Sequence, residues 1–496
     1  MSVLAIDAGT TGVTALIVTD GGAVAGRGYQ EFRQYFPQPG WVEHLPEGIW
    51  QAALGACTQA LAAAGNPAVT CVGITNQRET AVLWDRTTLA APHRAIVWQD
   101  RRTAAICDQL RSAGHEPRVA ELTGLRLDPY FTATKLTWLS RHEPSVWSGV
   151  IDGSIAVGTV DSYLIARLTG GRRHVSDASN ASRTLLFDIE ARQWSAELCE
   201  LFGVPPHALP EVVPSTGIIG HTDPSAFLGL ELPVAGVAGD QQAALFGQAC
   251  FDVGAAKCTY GTGSFVLVNT GSSIVRSQAG LLSTVAWLEP SGAMTYALEG
   301  SVFVTGAAIQ WLRDGLGLLD NAAQSEALAR SVPDSGGVVF VPALTGLGAP
   351  DWDPSARGAI FGLTRGTTRA HLLRAALEAI AFEVRDVVDV MTAEAAAPAS
   401  TAESAAILRV DGGASANDLL LQLQADQLQL PVERPVVAET TALGAASLAG
   451  LATGVWSSRA ELAAAWQLDR RFAPGPRDEA SHARWRSAVE RTKGWA

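Results

Sequence analysis

Two glycine-threonine segments in the chain have the composition of anion-holding turns. Asp7-Ala8-Gly9-Thr10-Thr11-Gly12 joins the strand-like run Val3-Leu4-Ala5-Ile6 to a β-branched run from Val13 to Thr19. Gly261-Thr262-Gly263-Ser264 joins the run from Lys257 to Tyr260 to the run from Phe265 to Thr270. A turn free of side chains lets backbone N–H groups approach an anion, and threonine hydroxyls add donors. Alone, each reads equally as an ordinary hairpin. As a pair facing each other across a cleft, they could hold the phosphates of a nucleotide. Asp7, at a strand end beside those donors, has the chemistry of a Mg²⁺ ligand, direct or through water. Neither a GxxxxGK[ST] loop nor a protein-kinase catalytic loop occurs, so any phosphoryl transfer uses another scaffold.

Three further segments carry chemistry. In Gly236-Val237-Ala238-Gly239-Asp240-Gln241-Gln242, Asp240 stands where a helix N-cap is expected. It reads as a cap or as a general base that accepts a hydroxyl proton, kept ionised by the helix terminus. Gly73-Ile74-Thr75-Asn76-Gln77-Arg78-Glu79-Thr80, with Ile96-Val97-Trp98, gathers donors and acceptors that suit vicinal hydroxyls. Its plainer reading is a surface ion pair and a core tryptophan. Val410-Asp411-Gly412-Gly413, leading into Asn417, is a strand, a turn and a helix start where a nucleotide can approach backbone.

The elements that must position these residues alternate between strand and helix. Val69–Ile74, Val82–Trp84 and Ile96–Trp98 are expected strands, and Ala105–Ala113 and Lys135–Arg141 helices. In the second half, Ser301–Leu316, Arg369–Met391, Ala416–Gln429 and Thr440–Leu451 are expected helices, the last small enough in its side chains to pack closely on a sheet. Thr392–Ala406 reads as a surface loop. The repeated Gly-Thr hairpin, one near the start of each half, predicts a duplicated α/β architecture of mixed sheets, with domains 1–250 and 251–496.

At 496 residues with 47% apolar and 17% charged side chains, the chain has ample material for two buried cores. Its formal charge of −13 argues against a duplex-binding surface, which needs clustered cations. Only Lys135, Lys257 and Lys493 are lysines. No uncharged apolar run reaches the ~18 residues of a membrane span, and Met1–Asp7 does not read as a signal peptide. Six scattered cysteines without CxxC pairing predict reduced thiols and a cytoplasmic protein.

In order and content these segments resemble the FGGY carbohydrate-kinase family, from Ile6 to about Trp456, and most closely its glycerol-phosphorylating members. Tyr130-Phe131-Thr132-Ala133-Thr134-Lys135 and Gly358-Ala359-Ile360-Phe361-Gly362-Leu363 match the two family signatures. The resemblance implies two actin-like (ribonuclease-H-like) domains with an ATP cleft between them. It implies ATP-dependent phosphorylation of glycerol to sn-glycerol 3-phosphate in the cytoplasm, by a homodimer or homotetramer. Arg78, Glu79, Tyr130, Asp240 and Gln241 would hold glycerol, flanked by Trp98 and Phe265, with Asp240 as base. Asp7 and Asp240 would lie near Mg²⁺. Thr10, Thr11, Gly261 and Thr262 would meet the ATP phosphates, and Gly306, Gln310, Gly413 and Asn417 the nucleoside.

Two departures from that family pattern bear on function. The glycerol-phosphorylating members usually carry Arg three residues after the second Thr of the first hairpin, where this chain has Thr14. The hairpin is therefore closer to those of pentulose kinases, which keeps a longer polyol or a ketose open as substrate. A shape-switching actin-like filament or chaperone, and an inactive regulatory paralogue, are further readings. Pro224–Glu231 also lacks the Gly- and Arg-containing loop that binds fructose 1,6-bisphosphate in some relatives, so inhibition through that loop is not expected.

Overall fold

The computed structural model describes residues 1–394 and 407–495. Its first sheet is built from β1 (Ser2–Ala8), β2 (Gly12–Thr19), β3 (Val24–Glu31), β4 (Cys71–Asn76), β5 (Thr216–His221) and β6 (Pro233–Gly239). Its second contains β7 (Ala256–Tyr260), β8 (Ser264–Gly271), β9 (Leu282–Leu288), β10 (Met294–Val302), β11 (Leu408–Asp411), β12 (Val432–Pro435) and β13 (Leu468–Phe472). The orders are β5-β6-β4-β1-β2-β3 and β9-β10-β8-β7-β11-β12-β13.

The two sheets follow one plan. In the first, β3, β2 and β1 pair antiparallel, and β4 and β6 then add in parallel. In the second, β10, β8 and β7 pair antiparallel, and β11 and β12 add in parallel. Each Gly-Thr turn connects the first two strands of its sheet. The turns also close alike: Gly9 N donates to Gly12 O at 3.0 Å and Gly261 N to Gly263 O at 2.9 Å.

Seven helices matter for the site: α1 (Pro46–Ala63), α2 (Thr132–His142), α3 (Asp240–Gly247), α4 (Gly306–Asp314), α5 (Arg369–Glu394), α6 (Asp418–Leu428) and α7 (Thr440–Thr453). Helix α1 buries Ile49, Trp50, Ala53 and Ala56 against one face of the first sheet. Helices α5 and α6 bury Leu373, Ile380, Val384 and Leu420 in the core of the second. Helix α7 belongs to the second half of the chain but packs Ala442, Ala445 and Ala449 on the free face of the first sheet. Glycines allow that contact. A Cβ on Gly73 would lie 2.1 Å from Ala445 O, and one on Gly444 1.8 Å from Ala243 O of α3. The small-residue helix expected over Thr440–Leu451 is therefore the tight joint between the halves.

Several expected boundaries move. The helix expected from Ser301 begins at Gly306, because Ser301 and Val302 complete β10 opposite Phe265 and Ser264. The strand expected over Ile96–Trp98 is only Ala95–Ile96. Thr392–Glu394 continue α5 instead of opening a loop, and 395–406 lie outside the described residues.

Candidate active site

Strand β4 and the turn after it deliver Arg78 and Glu79. Glu79 takes a left-handed backbone (φ 60°), an uncommon and strained conformation for a residue with a Cβ. Arg78 reaches past the start of α3 because Gly239 has no Cβ, which would sit 2.7 Å from the arginine stem. Its guanidinium is fully engaged. Nε lies 3.1 Å from Asp240 Oδ1. Nη1 donates to Glu299 Oε2 at 2.5 Å and to Gln242 Oε1 at 3.3 Å. Nη2 donates to the Tyr130 hydroxyl at 3.2 Å and to Glu299 Oε1 at 3.0 Å.

Arg183 completes the network, donating to Glu79 Oε1 at 2.7 Å and to Glu299 Oε1 at 2.9 Å. Two arginines and two glutamates thus neutralise each other out of water. Burial alone would raise the Glu299 carboxyl, but Arg183 and Arg78 overcome it and hold the group at about 2. Burial dominates at Glu79 and pushes its carboxyl up against Arg78 and Arg183.

Asp240 is where this network meets solvent: its side chain keeps 27% of its surface, against 1% for Arg78. It is the first residue of α3, with Gly239 as the cap, and its Oδ1 accepts from Gln241 N at 2.7 Å. Burial raises its carboxyl above the ordinary range, against the pull of Arg78 and Lys257. The cap expected at Asp240 thus falls on Gly239; desolvation sets the direction of the Asp240 shift, and a raised carboxylate is a stronger proton acceptor.

Three aromatic rings wall the same space. Trp98 meets Tyr130 edge to face at 5.6 Å and Phe265 at 6.2 Å. The Arg78 guanidinium lies 5.9 Å from the Phe265 ring centre. Because Phe265 comes from β8 and the other rings from the first half, the wall is shared between the lobes. The Trp98 Nε1 donates to Thr10 Oγ1 at 2.9 Å, tying the wall to the first Gly-Thr turn. Gln77 supports that turn from below, donating to Gly9 O at 2.9 Å and contacting His44 Nδ1 at 3.3 Å.

Tyr130 is itself held from behind. Lys135 on α2 is fully buried and its ammonium donates to the carbonyls of Pro129, Tyr130 and Phe131 at 2.8, 2.6 and 3.0 Å. Burial lowers it to about 8.

The second turn docks on α4: Gly306 N donates to Gly261 O at 3.0 Å and Ala307 N to Thr262 O at 3.1 Å. A Cβ on Gly306 would lie 2.6 Å from Gly261 O, so only glycine permits the approach. Gln310 is exposed one turn further along α4. The Gly412-Gly413 turn abuts the same strand, with a Gly412 Cβ 2.5 Å from Tyr260 O, while Gly413 faces open space. Asn417 caps α6, its Oδ1 accepting from Leu420 N at 3.0 Å. Its capping role is thus visible whether or not it also meets a nucleoside. Thr11 and Thr262 are exposed at the turn tips.

Asp7, next to last in β1, is in register with Thr14 of β2 and Thr75 of β4. Burial, then the nearby Asp240 and Glu439, raise its carboxyl to about 7. Carboxylates crowding one another at a cleft have the chemistry of a hard-cation site. Among the described residues no cluster of three or more ligating side chains forms a complete cage.

Sequence reasoning missed Glu299, Arg183, Gln242 and the placement of Lys257. Glu299 had a signal, a lone charge inside the apolar run of β10; Arg183 had none beyond a charge among small residues.

The chain belongs to the FGGY family of carbohydrate kinases: it matches the family's N-terminal domain over residues 2–247 and its C-terminal domain over 256–453. The duplicated sheets are the two actin-like lobes of that family. Among individual relatives, it is 55% identical to a glycerol kinase of Dechloromonas aromatica, covering 100% of this chain and 98% of that protein. It is 52% identical to glycerol kinase 2 of Thermotoga maritima, covering 99% of both. The crystal structure of Plasmodium falciparum glycerol kinase with ADP superposes with a TM-score of 0.89 at 34% identity, covering 99% and 98% of the two chains. A xylulose kinase from Rhodospirillum rubrum superposes at 0.81 with 26% identity, covering 99% and 97%.

Proposed function

We propose that this chain transfers the γ-phosphoryl group of ATP to a terminal hydroxyl of glycerol, giving sn-glycerol 3-phosphate. One observation carries the reading: a solvent-reached Asp240 beside Arg78, inside a small cage of Trp98, Tyr130 and Phe265. The full-length identity to glycerol kinases supports it.

Glycerol is neutral, so its site needs paired donors and acceptors more than net charge. Glu79 and Asp240 offer acceptors and Gln241 a donor, Arg78 orients Asp240 through its Nε, and the rings cover the carbon chain. Asp240 takes the proton of the attacking hydroxyl as the oxygen moves toward phosphorus. The Gly9–Thr11 and Gly261–Thr262 turns hold the phosphates in line, with Gly306, Gln310, Gly413 and Asn417 around the nucleoside. Positioning and charge neutralisation are most of the catalysis in such a transfer. Asp7 and Asp240 would hold Mg²⁺, which when bound neutralises phosphate charge. Closure of the lobes excludes water, which would otherwise compete as acceptor.

The domain division at residue 250, a cytoplasmic setting and a homodimeric or homotetrameric assembly belong to the same proposal. Six buried free cysteines support the setting, and family resemblance supports the assembly. Among the described residues no helix is long and apolar enough to cross a membrane.

A second reading, a kinase for a longer polyol or a ketose, is favoured by Thr14 in the first hairpin alone. An ADP-release assay with glycerol, erythritol, xylulose and no acceptor separates the readings, and glycerol is expected to dominate. Asp240→Asn should lower kcat on glycerol about 10²- to 10⁴-fold, the usual worth of a general base. Turnover at the wild-type rate would remove Asp240 from the mechanism.

A further inference from the structure

Two of the three lysines in the chain are completely buried behind the polyol site. Lys135 braces Tyr130, as described above. Lys257 sits on β7, four residues before the second Gly-Thr turn. Its neighbours Cys258 and Tyr260 point into the core of the second lobe. Lys257 and Thr259 point the other way, toward α3. Among the described residues no carboxylate lies within ion-pair distance of its ammonium. It donates instead to two neutral oxygens: Gln241 Oε1, in a short contact, and Thr259 Oγ1 at 2.8 Å. Its charge is supported by the more distant Asp411 and Glu299 carboxylates, but its hydrogen bonds go to these neutral acceptors, of which Gln241 is the one that lines the cleft.

Lysine is a donor only, whereas a glutamine side chain carries one acceptor oxygen and one donor nitrogen. Lys257 therefore dictates which way the Gln241 amide faces. Its oxygen turns inward, and Nε2, bonded to no protein acceptor among the described residues, remains for the cleft. Gln241 keeps 7% of its surface exposed there. Asp240, the preceding residue, presents acceptors. Adjacent positions thus offer an acceptor and a donor side by side, matched to neighbouring hydroxyls on one polyol.

We infer that Lys257 is a positioning residue for the polyol site, locking the Gln241 amide so that it donates to a substrate hydroxyl. This rests on the glycerol reading above and adds the device that gives the site its donor side. Without the lysine the amide can flip, placing an acceptor beside an acceptor and leaving one hydroxyl contact unmade.

The test is a double-mutant cycle on the full-length enzyme, reading the KM for glycerol and for ATP separately. Lys257→Met and Gln241→Ala should each raise the glycerol KM about tenfold, the worth of one lost hydrogen bond of ordinary strength. The ATP KM should stay within about twofold. Because the lysine acts through the glutamine, the double variant should be no worse than Gln241→Ala alone. Gln241→Glu guards against a folding failure. It gives the buried ammonium a carboxylate partner, so thermal stability should hold while the glycerol KM rises as in Lys257→Met. An unchanged glycerol KM in Gln241→Glu, or single effects that multiply in the double variant, would overturn the role of Lys257. A wild-type enzyme that turns over none of the polyols would overturn the glycerol reading along with it.

Discussion

Thr14 lies directly across the β1–β2 pair from Asp7, and Tyr29 of β3 pairs with it on the other side. A side chain at this position lies on the same face of the sheet as the Asp7 carboxylate. An arginine there would face Asp7, which burial, Asp240 and Glu439 have raised to about 7. A cation beside a crowded carboxylate favours its ionised form. Thr14→Arg should therefore lower the KM for ATP or raise kcat, by about three- to tenfold, as one added charge contact at a partly exposed site implies. Steady-state kinetics with varied ATP decide it; no change in either constant refutes it. Residues of this kind stand out in sequence: Asp7 follows an apolar run, Asp240 a run of small residues, and Arg78 and Glu79 are adjacent opposite charges after a strand-like run. Arg183 was not legible, since its partners Glu79 and Glu299 are 104 and 116 residues away in the chain, and only the fold brings them together.

At the scale of elements, the loop 129–131 shows how a helix can hold a ring of the cleft wall from behind. The Lys135 ammonium collects three carbonyls of this loop, and Tyr130 N donates to Asp128 Oδ1 at 2.8 Å on the other side. Lys135→Met would keep the stem packed and leave those carbonyls without a donor. Stability should fall by about 2–4 kcal/mol in chemical unfolding, as orphaned buried acceptors imply. The glycerol KM should rise as Tyr130 loosens, with the ATP KM unchanged. A variant as stable as wild type with unaltered kinetics would show the loop to be held by its other contacts. The Gly-Thr hairpins and the small-residue helix α7 could be read from sequence because turn chemistry and glycine spacing are local properties. The start of α4 could not. The run from Ser301 keeps a helical pattern, but pairing with β8 claims Ser301 and Val302 for β10, and local preference yields to the sheet.

At the scale of the whole molecule, two contacts join the halves in different ways. Helix α7 makes a close-packed joint on the first sheet, where glycines leave no room to slide. Glu299 makes an ionic one: carried by the second sheet, it is gripped by Arg78 and Arg183 of the first half. The duplicated lobes were legible in the spacing of the hairpins, but this bridge was not, because an ion pair between halves leaves no periodic trace. Removing its charge leaves the buried Arg78 and Arg183 guanidinium groups with only Asp240 and Glu79 as charged partners. Glu299→Gln should destabilise the protein by about 3 kcal/mol near neutral pH, within the range for breaking a buried pair. The pH dependence follows from the direction of the shift. The Glu299 carboxyl is held at about 2 in the folded protein against 4.5 unfolded, so its contribution is complete well above 4.5 and declines as pH falls toward 2. The stability gap between wild type and Glu299→Gln should therefore narrow by about 1 kcal/mol between neutral pH and about pH 4, measured by urea unfolding at each pH. A gap that stays constant over that interval would mean that the arginines hold Glu299 by shape and hydrogen bonding alone, and that charge plays no part in joining the two lobes.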